Sequence, residues 1–274
     1  MNDDALPPMR IAALQMVSTP EVGRNLDAAQ RLIAQAAAAG AQLVALPEYF
    51  CLMGRSDRDK LAAAETPGEG PIQAMLAAAA CGHALWVVGG TLPLRIAGTR
   101  ERVRNACCVY APDGSLAARY DKMHLFGFDN GQERYDESQV LEAGSAPVAL
   151  SLAPQGLRLG LSVCYDLRFP ELYRALGADL IAVPSAFTHT TGQAHWELLL
   201  RARAIENQAY VIAPAQGGRH ENGRRTWGRS MIVDPWGAVL AVQDEGEGVV
   251  LADLQPARIA EVRRQLPALA HRRL

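Results

Sequence analysis

The sequence predicts an α/β protein in which βαβ units alternate with hairpins, so that the strands form a mixed sheet or two sheets packed face to face with helices outside. Three observations predict this class. The chain opens in the order strand, helix, strand, and strand-like apolar runs recur from Ile11 to Val250. Two turn motifs separate neighbouring strands, at Ala111-Pro-Asp-Gly114 and Asp234-Pro-Trp-Gly237.

The periodicity of apolar residues predicts the individual elements in order. In the first half we predict a strand at 10–17, an alanine-rich helix at 25–39 that ends at Gly40, a strand at 42–47, a helix at about 70–82, and strands at 84–89, 103–110 and 116–124. In the second half we predict a strand at 157–163, a helix near 170–176, a strand at 180–183, a helix near 194–208, a strand at 210–213, and two strands around the second turn motif.

The sequence favours a single domain over residues 1–274, because no linker-like stretch interrupts the strand signals. Residues from about 267 are expected to form a tail that either reaches a second subunit or frays. A net charge of −2 argues against a general nucleic-acid binder, and the basic clusters Arg224-Arg225 and His271-Arg-Arg273 are interpreted as solvated surface.

Other features of the sequence limit which cellular compartment and which cofactors we expect. No apolar run is long enough to cross a bilayer, and the first residues lack the apolar core of a secretion signal. The five cysteines are odd in number and lack the spacing of a zinc site, which favours a reducing, cytoplasmic location and no bound metal. No nucleotide-binding or metalloprotease motif is found, so we expect no cofactor.

Three side chains that could take part in catalysis lie at or near the ends of predicted strands. Cys164 ends an apolar run and opens a turn into a helix, whose start would favour the thiolate. Glu48 follows the second strand and Lys122 interrupts a later one, so the three could converge at one sheet edge. Each also has a structural alternative: Cys164 as a buried apolar residue, Glu48 in a salt bridge and Lys122 as an edge-strand charge.

The combination of motifs around these residues resembles the nitrilase, or carbon–nitrogen hydrolase, superfamily. The motifs are Pro47-Glu-Tyr-Phe50, Asp121-Lys-Met-His-Leu-Phe126 and Cys164-Tyr-Asp-Leu-Arg-Phe-Pro-Glu171. The resemblance implies a four-layer α-β-β-α sandwich with two mixed sheets face to face and helices outside. It also implies a pairing into a homodimer, or a higher oligomer, through the helices after Cys164 and near 194–208.

The resemblance further assigns roles for the hydrolysis of a small-molecule amide by water. Cys164 would be the nucleophile, Glu48 the general base, and Lys122 the cation that stabilises the tetrahedral intermediate together with the backbone N–H of Tyr165. A second glutamate would orient Lys122. Glu137 matches its place, and Glu133 is the nearest competitor.

Motifs further along the chain resemble the Nit1 type within this superfamily, whose members are deaminated glutathione amidases. These motifs are Pro184-Ser-Ala-Phe187, Thr191-Gly-Gln-Ala-His-Trp-Glu197 and residues 198–206. The expected products are 2-oxoglutarate and cysteinylglycine. Since both halves of that substrate carry carboxylates, Arg168, Arg201 and Arg203 are candidates by type, each with a structural alternative. Tyr49 and Phe187 are expected beside the site.

Other functions stay open at this level. One enzymatic alternative is an ω-amidase acting on 2-oxoglutaramate; true nitrilases and N-carbamoyl hydrolases are more distant. A Cys–His dyad using His189 or His195 would leave the glutamate and lysine motifs unexplained. His124 is interpreted as a hydrogen-bonding residue behind the site. A non-enzymatic alternative is an oligomeric scaffold.

Overall fold

The computed structural model describes residues 7–154 and 156–273. Its strands are β1 (Met9–Gln15), β2 (Leu43–Ala45), β3 (Trp86–Val88), β4 (Leu92–Arg95), β5 (Val103–Tyr110), β6 (Leu116–Asp121), β7 (Gly127–Asp129), β8 (Arg134–Asp136), β9 (Val148–Leu152), β10 (Leu157–Leu161), β11 (Leu180–Ala182), β12 (Tyr210–Ala213), β13 (Gly217–Arg219), β14 (Arg225–Trp227), β15 (Ser230–Val233), β16 (Val239–Gln243) and β17 (Gly248–Leu254). Its helices are α1 (Val22–Ala38), α2 (Asp59–Ala62), α3 (Pro71–His83), α4 (Pro170–Leu176), α5 (His189–Asn207) and α6 (Pro256–Gln265).

Two mixed sheets form the centre of the molecule. The first has the order β17-β1-β2-β3-β5-β4, with β6 paired to β5, and the second has the order β16-β15-β12-β11-β10-β9. Within the first sheet β1, β2 and β3 run parallel, and within the second β10, β11 and β12 run parallel. Two short hairpins, β7–β8 and β13–β14, lie outside the sheets.

Alternation along the strands separates the layers, because successive side chains of a strand point to opposite faces. On β1, Ile11 and Ala13 belong to the core shared by both sheets, whereas Ala12 and Leu14 belong to a second core with α1 and α3. Helices α4 and α5 contact β10 and β12 of the other sheet. The result is two sheets face to face with helices outside, as the sequence predicts.

The same alternation places the paired cysteines of β5. Cys107 packs into the core between the sheets and Cys108 into the core under the helices, both fully buried. These two neighbours on one strand therefore occupy opposite faces of the sheet. The core between the sheets draws side chains from both.

Most predicted elements are present, with differences at the ends. The predicted strand 116–124 ends at Asp121, so Lys122 follows the strand instead of interrupting it. Helix α5 begins at His189, five residues before the predicted start, because the Thr188 hydroxyl caps it by accepting a hydrogen bond from the N–H of Thr191. Sequence patterns did not predict β4, β9, β17 or α6.

Among residues 7–154 and 156–273, no helix combines the length and the apolar character that crossing a membrane requires.

Candidate active site

Three strand ends bring the predicted residues together. Glu48 follows β2 and Lys122 follows β6 in the first sheet, while Cys164 follows β10 in the second. The Nζ of Lys122 lies 2.8 Å from Oε1 of Glu48 and 2.8 Å from Oε2 of Glu137. Glu48 and Lys122 are each only 1% exposed. Burying charges is costly unless they are paired, and here each is paired within one cluster.

Glu48 is held by donors from both sheets. Its Oε1 accepts from Nδ2 of Asn105 at 2.9 Å in addition to Lys122, and its Oε2 accepts from the N–H of Ala186 at 3.1 Å. Burial nevertheless raises the pKa of Glu48, and the nearby Glu137 charge adds to this, while the Lys122 ammonium opposes it. A carboxylate with a raised pKa is a better proton acceptor than an ordinary glutamate.

Glu137 lies on the other side of Lys122. Burial opposes its ionisation, but the Lys122 charge and hydrogen bonds from Lys122, Phe126 N–H and the Tyr49 hydroxyl outweigh this, so the pKa of Glu137 is lowered. Burial likewise opposes the charge on Lys122, but the two glutamates raise the pKa of Lys122 well above its usual value. The competing Glu133 instead accepts a hydrogen bond from the Thr190 hydroxyl at 3.0 Å.

Cys164 occupies a strained turn between β10 and a short 3-10 helix at Cys164–Arg168. Its φ is 49°, a left-handed value that non-glycine residues rarely adopt and that recurs at functional sites. The backbone N–H of Cys164 donates to the Pro184 carbonyl at 2.9 Å, which ties the turn to the end of β11.

The thiol of Cys164 lies against Glu48 and the N–H of Ala186, which act on its pKa in opposite directions: Glu48 raises it and the Ala186 N–H lowers it. Burial and the Glu48 charge raise the pKa of Cys164 well above that of an ordinary cysteine. The expectation that a helix start favours the thiolate is therefore wrong for this site. The dominant effects are loss of solvation and a neighbouring carboxylate, so the resting group is a thiol beside a base.

A buried carboxylate fixes the turn that carries Cys164. Asp166 is fully buried and accepts hydrogen bonds from the Tyr120 hydroxyl at 2.8 Å and the Val163 N–H at 2.8 Å. It also accepts from the His124 N–H at 3.0 Å and contacts Nδ1 of that ring at 2.7 Å. His124 therefore lies behind the site, as the sequence suggested, and links the Lys122 segment to the Cys164 turn.

A cavity opens over the cluster. Its lining includes Glu48, Glu137 and Cys164, together with the four residues predicted beside the site, which are Tyr49, Tyr165, Arg168 and Phe187. Lys122 is buried behind the two glutamates. The lining also includes residues that sequence reasoning missed: Met53, Phe126, Ala186, Thr188, Thr191, Arg224 and Thr226.

Arg224 corrects the interpretation of its basic cluster as solvated surface. It is half-buried and lines the cavity, whereas its neighbour Arg225 is exposed and pairs with Glu245 at 3.4 Å. Asn105 was also missed. It is a buried polar residue inside an apolar strand, and that misfit was the available signal.

The other candidate cations separate into two groups. Arg168 lines the cavity, its guanidinium 5.5 Å from the Phe187 ring, and it contacts Nδ1 of His195 at 3.2 Å. The buried Arg203 binds the Leu167 carbonyl and Glu206, and Arg201 binds the Gly237 carbonyl. Neither lines the cavity, which supports their structural alternatives.

The histidines of the alternative dyad have other contacts. His195 meets Arg168, and the His189 ring packs edge-on against Trp227. Neither lines the cavity that exposes Cys164. Within the described part of the chain, no three His, Cys, Asp or Glu side chains are grouped as metal ligands.

The chain is similar to known proteins along nearly its whole length. The family model described as carbon–nitrogen hydrolase matches residues 10–264. The chain is 42% identical over 272 residues to a deaminated glutathione amidase of Synechocystis sp. (strain PCC 6803 / GT-S), covering 97% of this chain and 98% of the relative. It is 38% identical over 268 residues to omega-amidase NIT2 of Xenopus tropicalis, covering 96% and 95%.

A solved structure shares the fold. The crystal structure of Saccharomyces cerevisiae Nit3, described as a member of branch 10 of the nitrilase superfamily, aligns with a TM-score of 0.86 at 29% identity, covering 97% of each chain. The α-β-β-α sandwich that the motifs implied is therefore confirmed. Since the family match spans nearly the whole sequence and the fold agrees with it, the chain belongs to the carbon–nitrogen hydrolase family of enzymes.

Proposed function

We propose that the protein is an amidase that works through a thioester on Cys164. The observation that carries this proposal is the cavity in which the Cys164 thiol, the Glu48 carboxylate and the buried Lys122–Glu137 pair come together. A thiol beside a carboxylate of raised pKa is the arrangement that nucleophilic attack on an amide needs.

In the proposed reaction a single base, Glu48, accepts each proton and later returns it. Glu48 takes the proton of the thiol as the sulfur attacks the amide carbonyl carbon. When the tetrahedral intermediate collapses, the C–N bond breaks and Glu48 returns that proton to the leaving amine. Water, activated by the same carboxylate, then adds to the thioester, the C–S bond breaks, and the acid leaves with the thiol restored.

The oxyanion would be held by the Lys122 ammonium and the N–H of Tyr165. Lys122 lies within hydrogen-bonding distance of three carboxylate oxygens, one from Glu48 and two from Glu137. Because an ammonium has three hydrogens, this role requires the two Glu137 oxygens to share one of them. Losing an oxyanion donor typically lowers kcat by about 10²–10³.

The proposed substrate is deaminated glutathione, split into 2-oxoglutarate and cysteinylglycine. The half-buried guanidinium of Arg168 on the cavity wall supports an acyl group that carries a carboxylate, while Tyr49 and Phe187 supply apolar wall. The similarity to an omega-amidase supports a second candidate, 2-oxoglutaramate, which shares the acyl half and releases ammonia.

Competition between the two amides tests the substrate. Purified protein is offered each compound, with ammonia and cysteinylglycine measured separately. A higher kcat/KM for deaminated glutathione is the expected result, and a higher value for 2-oxoglutaramate would assign ω-amidase activity instead. Cys164→Ala is expected to abolish both reactions and Cys81→Ala, an exposed cysteine outside the cavity, neither. Undiminished hydrolysis by Cys164→Ala would contradict the mechanism.

We also propose a homodimer that forms through α5. Large apolar side chains are exposed here: Leu198 is 70% exposed, Trp236 53% and Ile205 48%. Leu198 and Ile205 are about two helical turns apart on one face, and Ile205 lies against Gly237 beside Trp236. Large exposed apolar side chains close to one another are typical of a protein–protein contact.

Light scattering tests the dimer. Leu198→Asp is expected to give monomers, whereas Leu116→Asp, at an apolar residue 49% exposed on β6, should leave the assembly unchanged. A monomeric wild type would overturn this proposal.

The odd number of cysteines supports the proposed cytoplasmic location.

A further inference from the structure

Arg224 stands at the rim of the cavity on the loop between β13 and β14. Its guanidinium lies 5.0 Å from the ring of Tyr135, on the neighbouring hairpin β7–β8. The loop itself is anchored, because the N–H of Arg224 donates to Asn222, whose side-chain amide donates to the carbonyls of Met53 and Gly54. A cation is therefore held at a defined place where two hairpins meet the cavity.

The charges around Arg224 leave it available to a ligand. The two carboxylates that line the cavity, Glu48 and Glu137, are both bound to Lys122. Among the described residues no carboxylate forms an ion pair with Arg224, whereas nearby Arg225 and Arg229 have acidic partners. A fixed guanidinium without a carboxylate is suited to binding one from a ligand by paired hydrogen bonds.

Arg168 and Arg224 are separate cationic positions. Arg168 belongs to the turn that carries Cys164 and packs on Tyr165 and Phe187. Arg224 belongs to a rim loop whose adjacent residues Gly223 and Arg225 are exposed. The amine must leave, and water must enter, while the acyl group is still attached to Cys164. The leaving group therefore occupies the rim side of the cavity, where Arg224 lies.

We propose that Arg224 binds a carboxylate at the far end of the leaving amine and so selects amides of carboxylate-terminated dipeptides over primary amides. The inference rests on the proposed function and deepens it, because it explains how one acyl-binding site could discriminate between the two candidate substrates. A dipeptide places its terminal carboxylate about 7 Å from the scissile nitrogen, far enough to reach a rim residue.

A double-mutant cycle, in which one change is made in the enzyme and the other in the substrate, tests this contact. The kcat/KM values of the wild type and Arg224→Ala are measured with deaminated glutathione and with an analogue whose glycine ends in a carboxamide. We expect Arg224→Ala to lose about ten- to a hundred-fold with the carboxylate substrate, mainly in KM, and little with the carboxamide. Arg224→Lys should recover part of the loss.

Two controls separate this contact from general damage. Arg225→Ala removes the adjacent cation, which pairs with Glu245 on the surface and does not line the cavity, and should behave as the wild type with both substrates. Hydrolysis of 2-oxoglutaramate, which has no leaving-group carboxylate, should lose much less kcat/KM in Arg224→Ala than hydrolysis of deaminated glutathione does.

The outcomes are distinct. Equal losses for the carboxylate and carboxamide substrates would overturn the assignment of Arg224 while leaving the amidase proposal intact. A wild type that hydrolyses neither deaminated glutathione nor its carboxamide analogue would contradict the proposed substrate, and the assignment of Arg224 would fall with it.

Discussion

Glu137 illustrates at the residue scale how one side chain sets the charge of another. It provides the largest favourable contribution to the pKa of Lys122, offsetting the cost of burial. We expect Glu137→Gln to lower kcat by about 10²-fold. Without the Glu137 carboxylate, the Lys122 ammonium is held less rigidly and its pKa is lower. Steady-state kinetics would check this against Glu133→Gln, which changes a nearby glutamate that contacts Thr190 instead of Lys122. Equal losses in both variants would argue against this role.

The hydrogen bond from Asn105 to Glu48 leads to a prediction about the pH dependence of kcat/KM. Its amide donates to the Glu48 carboxylate and so favours the charged form. Removing the donor in Asn105→Ala should raise the pKa of Glu48 further above its usual value. The proposed base must be ionised to act, so the acidic limb of the kcat/KM profile should move to higher pH. Asn207→Ala, which loses a buried hydrogen bond to the Arg203 carbonyl far from Glu48, is the control. An unmoved or lowered limb in Asn105→Ala would contradict the assignment of Glu48.

At the scale of elements, the turn after β3 supports the segment that carries Glu48. Gly90 has φ +53°, and a Cβ there would lie 2.2 Å from the Pro47 carbonyl oxygen. Gly98 also has positive φ, +83°, but a Cβ there would meet nothing within 4 Å. Both Gly→Ala changes incur left-handed strain of about 1–2 kcal/mol.

Gly90→Ala should therefore cost about 1–3 kcal/mol more in unfolding free energy than Gly98→Ala, because it adds a clash with backbone. It should also lower kcat, since the displaced Pro47 precedes Glu48. Denaturant unfolding combined with kinetics would measure both quantities. Indistinguishable stabilities of the two variants would mean that the β3 turn does not constrain the Pro47 carbonyl.

At the scale of the whole molecule, the site depends on the separation of the two sheets. Glu48 and Lys122 come from the first sheet and Cys164 from the second, so the core between the sheets sets their spacing. Ala13 points into that core and Ala12 into the core under the helices, and both are fully buried.

Two matched variants use this difference. Ala13→Val and Ala12→Val each add the same volume to a packed interior and should each destabilise the protein by about 1–3 kcal/mol. Only Ala13→Val should also lower kcat substantially, because it pushes the sheets apart across the site. Thermal unfolding and steady-state kinetics on both variants would measure these effects. Equal losses of kcat in the two variants would mean that the distance between the sheets does not control catalysis.

Patterns within the amino-acid sequence were enough to predict the layers and the candidate members of the site. Apolar periodicity gives β1, α1 and β2, the two turn motifs give hairpins, and polar residues directly after apolar strands single out Glu48 and Cys164. These signals are local, since strand alternation and turn chemistry depend on residues close together in the chain. Lys122 is singled out as a cation within a later predicted strand, and the family resemblance then adds Glu137.

The way these groups affect one another follows from the folded arrangement and from no local pattern. Burial and the approach of Glu48 keep Cys164 a thiol, although its position before a helix suggested a thiolate. The fold likewise brings Asn105 to Glu48 and places Arg224 on the cavity rim. Desolvation and charge pairing act through space between residues distant in sequence, and so no local pattern records them.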